Sequence, residues 1–317
     1  MRDSLLSKVL VLDSCAAHTD AIKTFCDQHK LVALKAQKDH MLSVLGSNID
    51  LGAILYSECY GETPEENAAI ALRIHALRPE LPIILRREAS SSLDDIDTAL
   101  AHVFCAAYTM DDLSALAKAI DDYIFCLVYP NALVRGISEL TESVLAGQFK
   151  HLRTRWDTPH IVRDRLIFGE VLSLIPLESA WCRGYMMIQT EEEAILDALN
   201  GERSGTGASF RDVNNLLGEI TNLVWGAFKN RYVGDVAASA QTQIQVPLIV
   251  NHQHKYISFG TENPQLCFPY SLTNESAGKE IKFYQRFVFN LNWSPEDFRE
   301  IVHDTSALVD SGELEFF

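Results

Sequence analysis

The chain has 317 residues, 47% hydrophobic and 22% charged, an ordinary globular balance that supplies buried cores and argues against disorder. Its formal charge of −16 repels phosphate backbones and anionic lipid, and no Lys/Arg run or basic–aromatic interleave offsets it, so no nucleic-acid partner is expected. No window approaches the roughly 18 uninterrupted apolar residues of a membrane helix, so no membrane partner is expected either, and at about 150 residues per domain the length suits two domains.

The opening run, MRDSLLSKVLVLDSC, carries an acid at position 3 and a short apolar stretch ending in Asp13, so it reads as a first strand rather than a signal peptide. The seven dispersed cysteines include no C-x-x-C and no His at metal spacing; buried free thiols in a reducing cytoplasm are expected, and no metal. Strands are expected at 8–13, 31–36, 52–57, 82–86 and 102–107. Helices are expected at 16–28, 37–46, 63–78, 92–101 and about 110–126. Apolar runs of four to six residues that do not alternate suit strands buried on both faces, and their alternation with helices predicts a doubly wound, flavodoxin-like α/β domain over 1–128. Ligands of such folds bind at the carboxyl ends of the strands.

In element order, and in the acid that ends the first strand, this half resembles a response-regulator receiver domain. The resemblance implies an acidic pair after strand one, a phospho-accepting Asp after strand three, Thr or Ser after strand four and Lys after strand five. Here the matching positions are Asp13-Ser14, Ser57-Glu58, Arg86 and Tyr108-Thr109. Asp13, Ser57 and Glu58 therefore mark a degenerate receiver site, a poor cage for Mg²⁺, and no autophosphorylation is expected. Glu58 reads either as an exposed loop carboxylate or as a fixed charge imitating a phosphorylated state. Docking, dimerisation or targeting remains for this half.

Pro130 disfavours helix at Tyr129 and can begin a new one, which places the seam at 128/129. A helix is expected over 131–149, then long strands at 166–178 and 181–190, a short helix at 191–199, a linker at 200–209 and a helix at about 210–232. The linker lacks the order of a P-loop. Strands follow at 238–252, 254–260, 265–272 and 281–291, and a last helix begins at Ser294-Pro295. Long strands, expected to be antiparallel, outnumber the helices and make 129–317 an α+β domain.

Within NNLLGEITNLVWGAF (214–228), apolar residues at threes and fours form a broad stripe. Glu219 and Asn222, spaced i,i+3, share a face, with Asn215 one turn before. Gly226, four residues after Asn222, sits where glycine is costly in a helix and suggests close backbone approach. On pattern alone, E-x-x-N is equally a solvated polar stripe.

The order Gly218-Glu219-Ile220-Thr221-Asn222-Leu223-Val224-Trp225-Gly226 resembles the signature helix of the CheC/CheX/FliY phosphatases of bacterial chemotaxis, G-E-x-x-N followed by a hydrophobic pair and Gly. The flanking elements over about 131–292 resemble CheX, including a strand with Val246-Pro247-Leu248. A second motif is missing, because Glu142 is followed three residues on by Leu145. The resemblance implies a protein aspartyl-phosphate phosphatase acting on a phosphorylated CheY-like receiver. Asn222 would be catalytic and Glu219 would anchor the receiver's lysine. Asn215, which stands where the family often has Asp or Ser, would contact substrate together with Gly218 and Gly226. No cofactor is implied in this chain; Mg²⁺ is expected on the partner receiver. A homodimer through sheet edges is also implied, as is a cytoplasmic location. The alternative is a non-enzymatic, receiver-binding adaptor.

Other candidates are plainer. His252 and His254 form an H-x-H in an expected turn without a third ligand. Asp121-Asp122 and Glu191-Glu192-Glu193 read as solvated helix charges. Ser209 and Asp212 are spaced for a capping box.

Overall fold

The computed structural model describes residues 5–47, 50–202, 207–233, 249–274, 280–289 and 293–300. Two sheets organise the chain. The first is built from β1 (Ser7–Leu12), α1 (Ala16–Gln28), β2 (Leu31–Lys35), α2 (Met41–Ser47), β3 (Leu51–Ser57), α3 (Pro64–Leu77), β4 (Ile83–Arg86), α4 (Thr98–Ala101), β5 (Ala106–Tyr108) and α5 (Leu113–Tyr123). All its strands pair in parallel, in the order β2-β1-β3-β4-β5, which is the doubly wound arrangement expected from the non-alternating apolar runs. All seven residues of β3 are buried, because helices cover both faces of the sheet. Val9, Ala53, Leu55 and Ile84 pack with Phe25 of α1 and Leu116 of α5, whereas Leu10, Ile54, Tyr56 and Leu85 pack with α2 and α3 on the other side.

Two expectations in this half need correction. Helix 92–101 is only the turn Thr98–Ala101, capped by Asp97. Upstream, Ser90 Oγ accepts from Ser92 N–H at 3.1 Å and Ser92 Oγ from Asp94 N–H at 3.0 Å, local bonds that displace helix. Strand 102–107 begins only at Ala106, since His102 ends α4 and Val103 and Phe104 turn inward as core.

The second sheet follows α6 (Asn131–Gln148) and contains β6 (Arg153–Trp156), β7 (His160–Val162), β8 (Val171–Glu178) and β9 (Arg183–Thr190). After α7 (Glu192–Glu202) and α8 (Phe210–Phe228) come β10 (Ile249–Asn251), β11 (Tyr256–Ser258), β12 (Gln265–Thr273) and β13 (Glu280–Phe289). Its order is β6-β12-β13-β9-β8, with β7 also paired to β12, and every pairing is antiparallel; β10 and β11 form a separate ribbon. Along β13, Phe283, Gln285 and Phe287 face the helices: the Phe283 ring lies 5.9 Å from Phe149, Thr141 Oγ1 donates to Gln285 Oε1 at 3.0 Å, and Phe287 lies 5.5 Å from Phe228. The alternate residues Arg286 and Val288 face the other way, Val288 packing with Ile257 and Phe259 beside the ribbon.

The strand expected over 166–178 starts only at Val171. Gly169 has φ +64 and lies against the Thr190 carbonyl, so a turn interrupts the run where only glycine is unstrained. The hairpin partner starts at Arg183, since Ser179 and Cys182 close the turn. β6 and β7 were not expected. Most of the strand expected over 238–252, including Val246-Pro247-Leu248, lies outside the described residues, as do 203–206 of the linker, the end of the 281–291 strand and most of the last helix. Ser294 begins only a 3-10 turn, Pro295–Asp297.

β7 also joins the two sheets. Ile161 N–H donates to the Leu6 carbonyl at 2.8 Å, Ser7 Oγ to the Ile161 carbonyl at 2.7 Å, and Arg163 N–H to the Leu51 carbonyl at 3.0 Å. These contacts engage the amino ends of β1 and β3. Beside them lies a fully buried ion cluster. Arg78, just after α3, donates to Asp164 Oδ1 at 3.2 Å and to Glu80 Oε1 at 2.5 Å, while Arg286 of β13 donates to Asp164 Oδ2 at 2.9 Å. Burial pushes the Asp164 carboxyl up, and Arg286 and Arg78 pull it back toward the charged form.

Candidate functional site

α8 is a 19-residue helix opened by Ser209, whose N–H donates to Asp212 Oδ2 at 2.8 Å in the expected capping box, with Asp in the place of the usual Glu or Gln. Val213, Leu217, Ile220, Val224 and Phe228 form its buried stripe. Thr221, also buried, donates to the Leu217 carbonyl at 2.8 Å, and its Oγ1 lies 2.6 Å from Ser173 Oγ, which ties the helix to β8. These contacts set the rotation of the helix, and with it which residues are left outside.

Left outside are Asn215, Glu219 and Asn222, all exposed, on the face opposite the core. The expected trio is therefore brought together on one accessible surface. Gly218 and Gly226 flank the pair, and a Cβ added to either meets no atom within 4 Å. The close approach expected at Gly226 is thus not made within the chain; both glycines leave bare helix backbone toward solvent. Leu223, next to Asn222, is 43% exposed, and Phe210 at the start of the helix is 56% exposed.

α6 packs beside α8 and supplies a contact that sequence reasoning missed. Gln148, the last residue of α6, donates from Nε2 to Glu219 Oε1 at 3.2 Å. The bond occupies one carboxylate oxygen and points Glu219 along the outer surface. Nothing in the spacing of 131–149 reveals it, because it depends on where α6 ends against α8.

The degenerate receiver site assembles at the opposite, carboxyl edge of the parallel sheet. Asp13 and Ser57, at the ends of adjacent strands, converge on Arg86 at the end of β4. Arg86 Nε donates to Asp13 Oδ2 at 2.6 Å, Nη2 to Ser57 Oγ at 2.7 Å and Nη1 to Glu88 Oε1 at 2.5 Å, with the Arg86 and Asp13 side chains each 2% exposed. Burial disfavours the guanidinium charge, but the bonds and fields of Asp13 and Glu88 outweigh it and raise its pKa. Glu58 accepts from the Glu88 N–H at 2.6 Å and pairs with Arg87 at 3.4 Å, so it is tied into the loop after β4. The residue that fills the pocket, Arg86, was legible in PIILR as a charge closing an apolar strand.

His252 and His254 fall in a 3-10 turn, and no group of three potential metal ligands occurs among the described residues. Cys59 and Cys126 are exposed, contrary to the expectation that the thiols are buried; Cys26, Cys182 and Cys267 are buried, and all seven are free. No helix among the described residues is long and apolar enough to cross a membrane.

No protein-family profile matches the chain, and no curated protein matches it. Solved structures do. A CheY-like response regulator receiver domain protein from Methanospirillum hungatei JF-1 is 18% identical, covers 37% of this chain and 96% of its own, and has a TM-score of 0.30. The chemotaxis protein CheX from Vibrio vulnificus is 20% identical over 49% of this chain and 99% of its own, with a TM-score of 0.31. A CheC-like superfamily protein from Shewanella sp. PV-4 is 18% identical over 50% of this chain and 99% of its own, also with a TM-score of 0.31.

Proposed function

We propose that this chain hydrolyses the aspartyl phosphate of a separate, CheY-like receiver, using the outer face of α8. The observation that carries the reading is the exposure of Glu219 and Asn222 together, on a helix whose opposite stripe is buried, between two glycines with open space above them. The loose transition state of phosphoryl transfer asks for positioning more than covalent help. A carboxamide donates and accepts at once, so Asn222 orients a water in line with phosphorus, where a carboxylate would repel the phosphoryl oxygens. Glu219, steadied by Gln148, pairs with the receiver's lysine through a charge-assisted bond. Asn215, Gly218 and Gly226 border the contact. Mg²⁺ belongs to the partner receiver and neutralises phosphoryl charge there.

In this reading 1–128 is a receiver-like unit that takes no phosphate, and 129–317 carries the activity as a cytoplasmic homodimer. The substrate acts in trans. The receiver-like unit is fixed through the amino ends of β1 and β3, and Ser57 ends a strand six residues beyond Leu51, about 20 Å away at 3.3 Å per residue. Its carboxyl edge therefore lies at the end of the parallel sheet away from those contacts.

The test is phosphate release from phosphorylated receivers with wild type and with Asn222→Ala. Acceleration over spontaneous hydrolysis that is lost in the variant supports the reading. A chain that binds beryllofluoride-loaded receivers without accelerating hydrolysis is the adaptor instead.

A further inference from the structure

A cleft of about 520 Å³ lies between the two halves, far from Asp13 and at the opposite end of α6 from Gln148. Its walls are the first turns of α6, the starts of β1 and β2, and the segment after β6. Volumes of about 300–1,000 Å³ at a junction between folded units are typical of small-molecule sites. Leu6, Leu31 and Val134 give it an apolar floor, and Trp156, 37% exposed, stands on its wall.

Two cations line the same cleft from opposite halves, Lys30 and Arg135. Lys30 has no ion-pair partner among the described residues, and Arg135 has only the exposed contact to Glu139 at 3.1 Å. Lys30 also sits at φ +59, in the turn from α1 to β2, where glycine is the unstrained choice. Lys30 thus brings positive charge to the cleft wall in a chain of net charge −16. One acid, Asp27, lines the rim and suits ring N–H donors.

We propose that this cleft binds a nucleotide-sized aromatic anion. Its ring stacks on Trp156, its phosphate pairs with Lys30 and Arg135, and its base edge donates to Asp27. A ligand held there touches both halves at once. The inference is independent of the reading of α8, since none of these residues borders Glu219 or Asn222.

The experiment is calorimetric titration of the full chain with GMP and AMP, with inorganic phosphate as an anion lacking a ring and decanoate as an anion with an aliphatic body. At least one nucleotide is expected to bind with a Kd below about 1 mM, and both phosphate and decanoate about tenfold more weakly or not at all. Lys30→Gly, Arg135→Gln and Trp156→Ala should each weaken nucleotide binding by about tenfold or more, the scale of one charge-assisted or stacking contact. Lys30→Gly should retain or raise the melting temperature, so its loss of binding cannot come from misfolding. Failure of both nucleotides to bind at millimolar concentration, binding unmoved by all three substitutions, or tighter binding of decanoate would each overturn the proposal.

Discussion

Arg86 and Asp13 meet at 2.6 Å with both side chains almost wholly out of solvent, so the carboxyl edge of the parallel sheet contains its own fixed cation. A guanidinium bonded to Asp13, Ser57 and Glu88 fills the space between the strand ends. Incubation with acetyl phosphate and Mg²⁺ should leave no label on residues 1–128. Arg86→Ala should leave Asp13 buried without its partner and lower stability by about 3–5 kcal/mol in urea titrations, with Arg86→Lys milder.

Removal of the side chains on α8 should separate activity from stability. Asn222→Ala should reduce receiver dephosphorylation on the order of 10²-fold, the scale of a misplaced reacting group. Because Asn222 is exposed, unfolding free energy should move by no more than about 0.5 kcal/mol. Gln148→Ala should weaken receiver binding and leave the rate at saturation nearly intact, as read from initial rates across receiver concentration.

The glycines offer a sharper contrast. Gly226→Ala replaces a helical glycine with open space around it, so it should stabilise by about 0.5–1 kcal/mol. Gly226→Trp meets no atom at its Cβ and should block a partner that lies on bare backbone. A folded Gly226→Trp protein that still dephosphorylates receivers at the wild-type rate contradicts the proposed face.

Replacement of Asp164 should be as destabilising as that of Arg86. Its carboxylate sits between Arg78 and Arg286, each 0% exposed, and Asp164→Ala leaves both guanidinium groups without that countercharge. A loss of about 3–5 kcal/mol is expected in equilibrium denaturation.

Stability should also fall on mild acidification. His160 and His75 have pKa values below the ordinary 6.5, chiefly because burial disfavours the imidazolium, helped by Lys8 for His160 and by His102 for His75. Well above pH 6.5 both are neutral folded or unfolded and contribute no slope. Below it the unfolded chain takes up protons first, so the melting temperature drops as pH falls toward the folded pKa values. His160→Gln should flatten that slope.

The parts of the fold that were legible in the sequence are those set by local pattern. Unbroken apolar runs marked β1 to β4, and the stripe at threes and fours in 214–228 gave the buried side of α8 and, by subtraction, its exposed Glu219 and Asn222. What was not legible depends on distant partners. β6 and β7 are short and partly polar; His160–Val162 is a strand because β12 and the start of β1 offer it partners on two sides. The Gln148–Glu219 bond and the Arg86–Ser57 bond join residues 71 and 29 positions apart, and no spacing rule reaches them. Gly169 was visible as a letter inside an apolar run, but its left-handed turn was not.

The Asp164 cluster has a consequence for how the protein is made. A ribosome delivers Arg78 and Glu80 first, and Asp164 follows 86 residues after Arg78. Until it emerges, the nascent amino-terminal half has Glu80 and the Leu45 carbonyl for Arg78 but no Asp164, and its edge around Leu6 and Leu51 stays uncovered, the kind of unfinished surface that chaperones recognise. Synthesis in one continuous chain is thus the natural assembly route, and cutting the gene between the two sheets should yield two insoluble products rather than two working modules.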